Sequence, residues 1–208
     1  MKLILARHGN TFGPGDTPVW VGAKEDYPLV EKGLQQAHDM AAAIKRMKLK
    51  PDAIIAGPLL RTKVGAEIIS QDLGFEGGIR IDERLKEIDY GSWGGKSDDE
   101  VEALFGAEVI DDWRERTIRP AGADWAPDEQ TLRANAEGVL SDVLSEYQSA
   151  SCVLLITSNG NLRFFHTALY DGDQTAPSPK VKTGHFCLAD VDDGVIHPRL
   201  WNVAPNDI

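Results

Sequence analysis

The stretch that decides the fold lies at the N-terminus and reads Leu3-Ile4-Leu5-Ala6-Arg7-His8-Gly9-Asn10-Thr11. Four apolar residues are followed directly by charge and glycine, which is typical of a short buried strand that ends in a loop. Two later apolar runs, 53–56 and 152–156, also lead into loops that contain an arginine. Because amphipathic helices are predicted between the three runs, strands alternate with helices, and this order predicts an α/β fold with a mostly parallel sheet.

The rest of the chain is predicted to form helices, a hairpin and one irregular region. Apolar residues at helical spacing predict helices from residue 29 to about 48 and over 59–73, 131–147 and 161–169. The runs 186–191 and 195–200 are expected to pair as an antiparallel hairpin, and 79–88 to hold an extended piece. Residues 92–128 contain three of the five tryptophans among acids and prolines, and we interpret them as an insertion or lid rather than core. Since no internal repeat divides the chain, residues 1–208 are predicted to form a single domain.

The chain carries 22 basic and 33 acidic residues, which gives a formal net charge of −11 at pH 7. This balance argues against nucleic acid or an anionic membrane surface as a partner, although a local arginine cluster can still bind a small anion. No apolar stretch reaches the ~18 residues of a membrane span, and the N-terminal run is shorter than that of a signal peptide, so a cytoplasmic location is expected. The two cysteines, Cys152 and Cys187, lie in apolar runs and are predicted to be buried free thiols.

Arginine and histidine side chains follow the predicted strands at the place where a ligand would bind. In open α/β sheets the ligand lies beyond the carboxyl ends of the strands, and Arg7, Arg61 and Arg163 all fall in loops there. A guanidinium group offers a fork of donors that matches phosphate oxygens. A histidine such as His8 can act as a nucleophile, an acid or a base. These loops therefore favour a site for a small anionic substrate, such as one that carries a phosphate group.

Three sequence blocks occur within the first 95 residues in the order known from one protein family. They are Arg7-His8-Gly9-Asn10-Thr11, Gly57-Pro58-Leu59-Leu60-Arg61-Thr62 and Leu85-Lys86-Glu87-Ile88-Asp89-Tyr90-Gly91-Ser92-Trp93. Together with Asp26-Tyr27-Pro28-Leu29, they resemble the histidine phosphatase superfamily, also called the phosphoglycerate mutase-like superfamily. The resemblance covers essentially the whole chain and implies a three-layer α/β/α sandwich.

The resemblance also implies a chemistry that needs no metal and no organic cofactor. His8 would attack a phosphoryl group and form a phosphohistidine intermediate, while Arg7 and Arg61 hold the phosphoryl oxygens. Glu87 would protonate the leaving oxygen and later activate water. Two polar residues that complete the first block are predicted to add contacts to the substrate: Asn10 and Thr11.

The fourth block of the family departs from its pattern in this chain. Family members place a second histidine after the late strand, in the setting His-Gly-x-x-Leu-Arg. Alignment on Arg163 puts Ser158 at that position, and a shift by one residue puts Asn159 there. Ser158 is predicted to be the catalytic replacement and Asn159 to bind substrate beside it, with His185 as an alternative stand-in. Because a neutral donor forms a hydrogen bond roughly half as strong as a charged one, we expect slow hydrolysis.

Three functions fit these observations. The first is a phosphomonoester hydrolase that acts through His8. The second is a phosphate-binding protein without catalytic activity, for which the missing histidine is the argument. The third is a phosphoglycerate mutase-type phosphotransferase, although the acids of the predicted lid argue against a bisphosphorylated substrate that is gripped at both ends. The oligomeric state is left open, with a homodimer as one alternative.

Overall fold

The computed structural model describes residues 1–147 and 150–208, and the fold is built on a six-stranded sheet. Its strands are β1 (Lys2–Arg7), β2 (Ala53–Ala56), β3 (Ile79–Ile81), β4 (Cys152–Thr157), β5 (Phe186–Asp192) and β6 (Val195–Val203). Across the sheet they follow the order β3-β2-β4-β1-β5-β6. The first four strands of this order pair in parallel, whereas β5 pairs antiparallel with β1 and β6 pairs antiparallel with β5. The predicted mostly parallel sheet with an antiparallel C-terminal edge is therefore confirmed.

Within the described part of the chain, six α-helices connect the strands. They are α1 (Glu31–Arg46), α2 (Leu60–Leu73), α3 (Asp98–Phe105), α4 (Glu108–Arg116), α5 (Glu129–Glu146) and α6 (Asn159–Leu169). The predicted extended piece is shorter than expected, because Asp82 accepts a hydrogen bond from the N–H of Arg84 (3.0 Å) and opens a 3-10 turn over Glu83–Leu85. Among the helices of residues 1–147 and 150–208, none has both the length and the apolar character that a membrane crossing requires.

The sheet carries one apolar core on each face, because successive residues of a strand point to opposite sides. In β1, Ile4 and Ala6 belong to the core formed with α1 and α2. Leu3 and Leu5 belong to the core formed with α5 and α6. The result is the predicted three-layer arrangement of helices, sheet and helices. Both cysteines are buried free thiols, as expected.

The tryptophans of region 92–128 belong to the core, which differs from the expectation drawn from its irregular sequence. Trp93, Trp113 and Trp125 are 1–5% exposed and pack in the larger of the two apolar clusters. Trp93 and Trp113 meet Trp125 edge to face, with ring centroids 5.0 and 4.9 Å apart. Edge-to-face pairs of this kind contribute about 0.5–1.5 kcal/mol each beyond the burial of their area. Local composition does not indicate this core, because acids and prolines lie between the tryptophans.

Candidate active site

A cavity of about 490 Å³ lies at the edge of the sheet where β1 and β4 end. Its wall contains seven residues that the sequence predicted for the site: Arg7, His8, Asn10, Thr11, Arg61, Glu87 and Asn159. Two other predicted residues, both within the described part of the chain, are not in this wall: Ser158 and the alternative His185. The fold thus brings the three separate sequence blocks to one place.

Close backbone packing of the loop after β1 positions His8. The N–H of His8 donates to the carbonyl oxygen of Thr157 at the end of β4 (3.1 Å). Gly9 lies against the start of α1, where an added Cβ would come 2.3 Å from the carbonyl oxygen of Gly33. Any side chain at residue 9 would push the loop away from α1. The glycine of the first block therefore sets the position of the histidine before it.

His8 has one ring nitrogen that is available as a nucleophile. Its Nδ1 lies 2.7 Å from the carbonyl oxygen of Gly9. Since a carbonyl oxygen only accepts hydrogen bonds, Nδ1 carries the proton and Nε2 keeps its lone pair. Burial, followed by the positive charges of Arg61 and Arg7, lowers the pKa of His8 well below its ordinary value of 6.5. The imidazole is therefore neutral at pH 7 and able to attack an electrophile.

Arg7 and Arg61 are held in place by backbone carbonyl groups. Nη1 of Arg7 donates to the carbonyl oxygen of Val181 (2.7 Å). Nη1 and Nη2 of Arg61 donate to the carbonyl oxygens of Glu25 (2.9 Å) and Gly22 (3.1 Å). Burial lowers the pKa of both guanidinium groups, that of Arg7 to about 10, yet both remain charged at pH 7. Because carbonyl groups orient these cations without neutralising them, the charge is left for an anion.

Glu87 is a buried carboxyl group in the same cavity wall. Its Oε1 accepts from the N–H of Ile88 (2.9 Å), and its Oε2 accepts from the N–H of Gly160 in the first turn of α6 (3.2 Å). Gly160 leaves room for this contact, because a Cβ there would lie 2.3 Å from Oε1. Burial raises the pKa of Glu87, although the charge of Arg61 opposes the shift. A carboxyl group with a raised pKa is suited to donate a proton.

The structure places Asn159, and not Ser158, in the cavity wall, which corrects the alignment on Arg163. Ser158 precedes α6, has an extended backbone and is fully buried. Asn159 begins α6, and its Oδ1 accepts from the N–H of Val181 (2.9 Å). Because a backbone N–H can only donate, the amide oxygen is fixed on Val181. The NH2 group of Asn159 is therefore left for the cavity.

Ser158→Ala should raise the free energy of unfolding by about 1 kcal/mol, because a buried hydroxyl without a partner carries a desolvation cost. Among the described residues, the Ser158 hydroxyl has no hydrogen-bond partner, and it does not cap α6. Urea denaturation measures the change. A loss of stability in this variant would show that the hydroxyl is hydrogen-bonded in solution.

His185 lies outside the cavity wall. Its Nδ1 lies 3.2 Å from the carbonyl oxygen of Asn202. Of the histidines in the described chain, His8 alone is part of the cavity wall. Over residues 1–147 and 150–208, no group of three or more His, Cys, Asp or Glu side chains is arranged to hold a metal ion.

Several wall residues were not assigned by sequence reasoning, namely Trp20, Tyr90, Asp98, Trp113 and Arg114, whereas Arg163 was expected at this edge of the sheet. Asp98 opens α3 and accepts from the indole N–H of Trp20 (3.0 Å) and from Nη2 of Arg114 on α4 (2.8 Å). Arg163 is fully buried and donates from Nη1 to the carbonyl oxygen of Trp113 (2.7 Å). These contacts join elements that are far apart in the chain, so no local sequence pattern indicates them.

The cavity is cationic although the chain as a whole is acidic. Five of its wall residues are basic: Arg7, Arg61, Arg114, Arg163 and Lys180. Two are acidic, Glu87 and Asp98, and Asp98 is paired with Arg114 (2.7 Å). Asp98 is the one acid of region 92–128 in this wall, so the acidity of the predicted lid does not extend into the cavity. The argument from lid acidity against a substrate with two anionic groups is correspondingly weaker.

Comparison with known proteins agrees with this geometry. The sequence model of the histidine phosphatase superfamily, branch 1, matches residues 3–204. A 2,3-bisphosphoglycerate-dependent phosphoglycerate mutase of Parvibaculum lavamentivorans is 29% identical, in an alignment that covers 95% of this chain and 95% of its own.

Solved structures share the fold at lower identity. A mycobacterial glucosyl-3-phosphoglycerate phosphatase, solved with VO3, has a TM-score of 0.76 and 22% identity over 97% of this chain and 98% of its own. The alpha-ribazole phosphatase of Shigella flexneri has a TM-score of 0.73 and 21% identity over 98% of this chain and 97% of its own. With the family model matching nearly the whole sequence, the chain belongs to the histidine phosphatase superfamily, branch 1.

Proposed function

We propose that this protein is a phosphomonoester hydrolase that works through a phosphohistidine intermediate on His8. The observation that carries the proposal is the state of His8: a neutral ring with Nδ1 on the Gly9 carbonyl, which leaves Nε2 free beside two charged arginines. A nucleophile next to fixed cations suits attack on a phosphoryl group, whose oxygens are negative throughout the reaction.

In the first step Nε2 of His8 attacks phosphorus, a P–N bond forms, and the P–O bond to the leaving group breaks. Arg7 and Arg61 bind the oxygens of the transferring group, and Glu87 in its protonated form gives its proton to the leaving oxygen. In the second step Glu87, now a carboxylate, takes a proton from water while the water oxygen attacks phosphorus. The P–N bond breaks, inorganic phosphate leaves, and the neutral imidazole is restored.

The cavity also has room and contacts for a leaving group. Its volume of about 490 Å³ falls within the ~300–1,000 Å³ of ordinary ligand pockets. Beyond the residues that face the phosphoryl group, Phe12, Trp20 and Tyr90 supply aromatic surface, and Arg114 and Lys180 supply charge. The proposed substrate is accordingly a small phosphomonoester whose alcohol part contacts both the aromatic and the basic side chains of the wall.

A mutase-type phosphotransferase is the second candidate, since the relative from Parvibaculum lavamentivorans carries that name and the cavity has more basic than acidic residues. Both candidates share the phosphohistidine step and differ in the acceptor. Incubation with p-nitrophenyl phosphate, with and without a phosphorylated hydroxy acid as acceptor, separates them. A hydrolase releases one inorganic phosphate per nitrophenol in either mixture, whereas a mutase transfers phosphate to the acceptor. Absence of turnover with aryl and alkyl phosphates would favour the non-catalytic, phosphate-binding alternative.

The charge at residue 159 should set the rate. Asn159 offers a neutral NH2 where the family pattern has a histidine, and one preorganised donor to a transition state is worth on the order of 10²–10³ in rate. Asn159→Asp, which keeps the shape and adds a negative charge, should lower kcat about 100-fold, and Asn159→His should raise kcat. Ser158→Ala is the matched control and should leave kcat unchanged. An Asp variant as active as the wild type would remove Asn159 from the site.

The rate should be highest on the acid side of neutrality. The lowered pKa of His8 keeps the nucleophile neutral below pH 6.5, and the raised pKa of Glu87 extends the range over which the acid is protonated. As the pH rises through the Glu87 pKa, the proton donor is lost and the rate should fall. The profile of kcat/KM tests this, because kcat/KM reports the acid and base of the free enzyme, to which these pKa shifts belong. A kcat/KM that rises with a midpoint at the ordinary histidine value would contradict the shift at His8.

A further inference from the structure

The segment Val181–Gly184 contacts four parts of the cavity wall that come from distant places in the sequence. The carbonyl oxygen of Val181 accepts from Nη1 of Arg7 (2.7 Å), and its N–H donates to Oδ1 of Asn159 (2.9 Å). The Thr183 hydroxyl donates to Oδ1 of Asn10. The N–H of Gly184 donates to the carbonyl oxygen of His8 (3.0 Å). One short segment therefore sets the position of the nucleophile loop, one arginine and two amide side chains.

The two amides are held in the same way, by their oxygen atoms. At Asn159 the partner is a backbone N–H, which only donates, so the orientation of the amide is fixed. At Asn10 the partner is a hydroxyl, which can donate or accept. An anion in the cavity only accepts, so it selects the orientation in which Asn10 turns its NH2 to the anion and its Oδ1 to the Thr183 hydroxyl.

We propose that Thr183 is a positioning residue, whose hydroxyl orients the Asn10 amide so that its NH2 group binds the phosphoryl oxygens. This proposal rests on the proposed function, because it assumes that the ligand carries a phosphate group. Thr183 acts through Asn10 and is separated from it by 173 positions in the chain.

Gln36 makes this role testable by substitution, because it holds the backbone on both sides of the contact. Its Nε2 donates to the carbonyl oxygen of Thr183 (3.0 Å), and its Oε1 accepts from the N–H of Asn10 (2.8 Å). Both bonds are independent of the Thr183 side chain. Thr183→Val, which keeps the shape of the side chain, therefore removes the hydroxyl while leaving the backbone contacts in place.

The test is a double-mutant cycle on Thr183→Val and Asn10→Ala, with Thr183→Ser as the variant that keeps the hydroxyl. Two quantities are measured for each protein: the Kd of inorganic phosphate by calorimetry and kcat/KM for p-nitrophenyl phosphate. We expect Thr183→Val to weaken phosphate binding about tenfold in the wild-type background and less than about twofold in the Asn10→Ala background. Thr183→Ser should stay within about threefold of the wild type.

The outcomes separate this proposal from the proposed function. An equal loss in both backgrounds, or no loss in either, would overturn the role of Thr183. A wild type that binds phosphate but hydrolyses nothing would overturn the hydrolase, while the binding cycle would still decide the role of Thr183. A wild type that neither binds phosphate nor turns over would overturn both.

Discussion

Replacement of His8 by alanine is expected to abolish hydrolysis, with kcat falling by at least about 10⁴-fold. The reason is the proposed covalent step, for which Nε2 of His8 supplies the attacking electron pair. Water would have to attack the substrate directly in the variant, without the ring nitrogen that acts as the nucleophile in the proposed mechanism. The measurement is the steady-state release of inorganic phosphate from p-nitrophenyl phosphate and from an alkyl phosphate.

The matched control for this experiment is His197→Ala, which removes an exposed histidine from the edge strand β6. Its activity should equal that of the wild type. The His8→Ala protein should still bind inorganic phosphate, because Arg7 and Arg61 are held by backbone carbonyls that the substitution does not touch. Unchanged turnover after loss of His8 would show that another group is the nucleophile.

Replacement of Glu87 by glutamine should produce the second large effect, and its size should depend on the leaving group. The amide keeps the shape of the carboxyl group but has no proton to transfer at neutral pH. For an alkyl phosphate, whose alkoxide leaves only with a proton, kcat/KM should fall about 10²–10⁴-fold, because kcat/KM reports the steps up to the phosphohistidine. For p-nitrophenyl phosphate kcat/KM should change little, because nitrophenolate leaves without assistance.

The comparison of the two substrates distinguishes proton transfer from misfolding. A folding defect would lower the rates with both substrates by the same factor. Loss of the acid would lower the rate with the alkyl phosphate far more than the rate with p-nitrophenyl phosphate. The pH profile offers a further check, since the proposed loss of rate toward high pH comes from the Glu87 carboxyl group. An equal loss for both substrates, with the pH profile unchanged, would remove Glu87 from the role of acid.

Three of the parallel strands were predictable because each is a short apolar run followed by a loop. β1, β2 and β4 lie where the runs at 3–6, 53–56 and 152–156 placed them, and they are neighbours in the sheet. Buried parallel strands produce such runs because both faces are covered. The tryptophan core of region 92–128 was not predictable in this way, because its side chains come from loops and short helices and have no common period.

His8, Arg7, Arg61 and Glu87 could be proposed from the sequence because three blocks in the order of one family contain them, and all four line the cavity. The choice between Ser158 and Asn159 could not be predicted, because it depends on the direction in which each side chain points. Ser158 and Asn159 are neighbours with similar polar chemistry, and only the start of α6 after Ser158 puts one in the core and the other in the cavity wall. Thr183 gave no local signal, because its partner Asn10 belongs to the other end of the chain.

The measurement that tests the central claim most directly is the capture of phosphate on His8 during turnover. The protein is mixed for a short time with an excess of phosphomonoester and quenched in alkaline denaturant, because the P–N bond of phosphohistidine is labile to acid. After digestion, mass spectrometry locates the phosphate. We expect up to one phosphate per chain on the peptide that contains His8, and none in the His8→Ala protein. Phosphate on a different residue, or sustained hydrolysis with no phosphate on the protein at any time point, would contradict it.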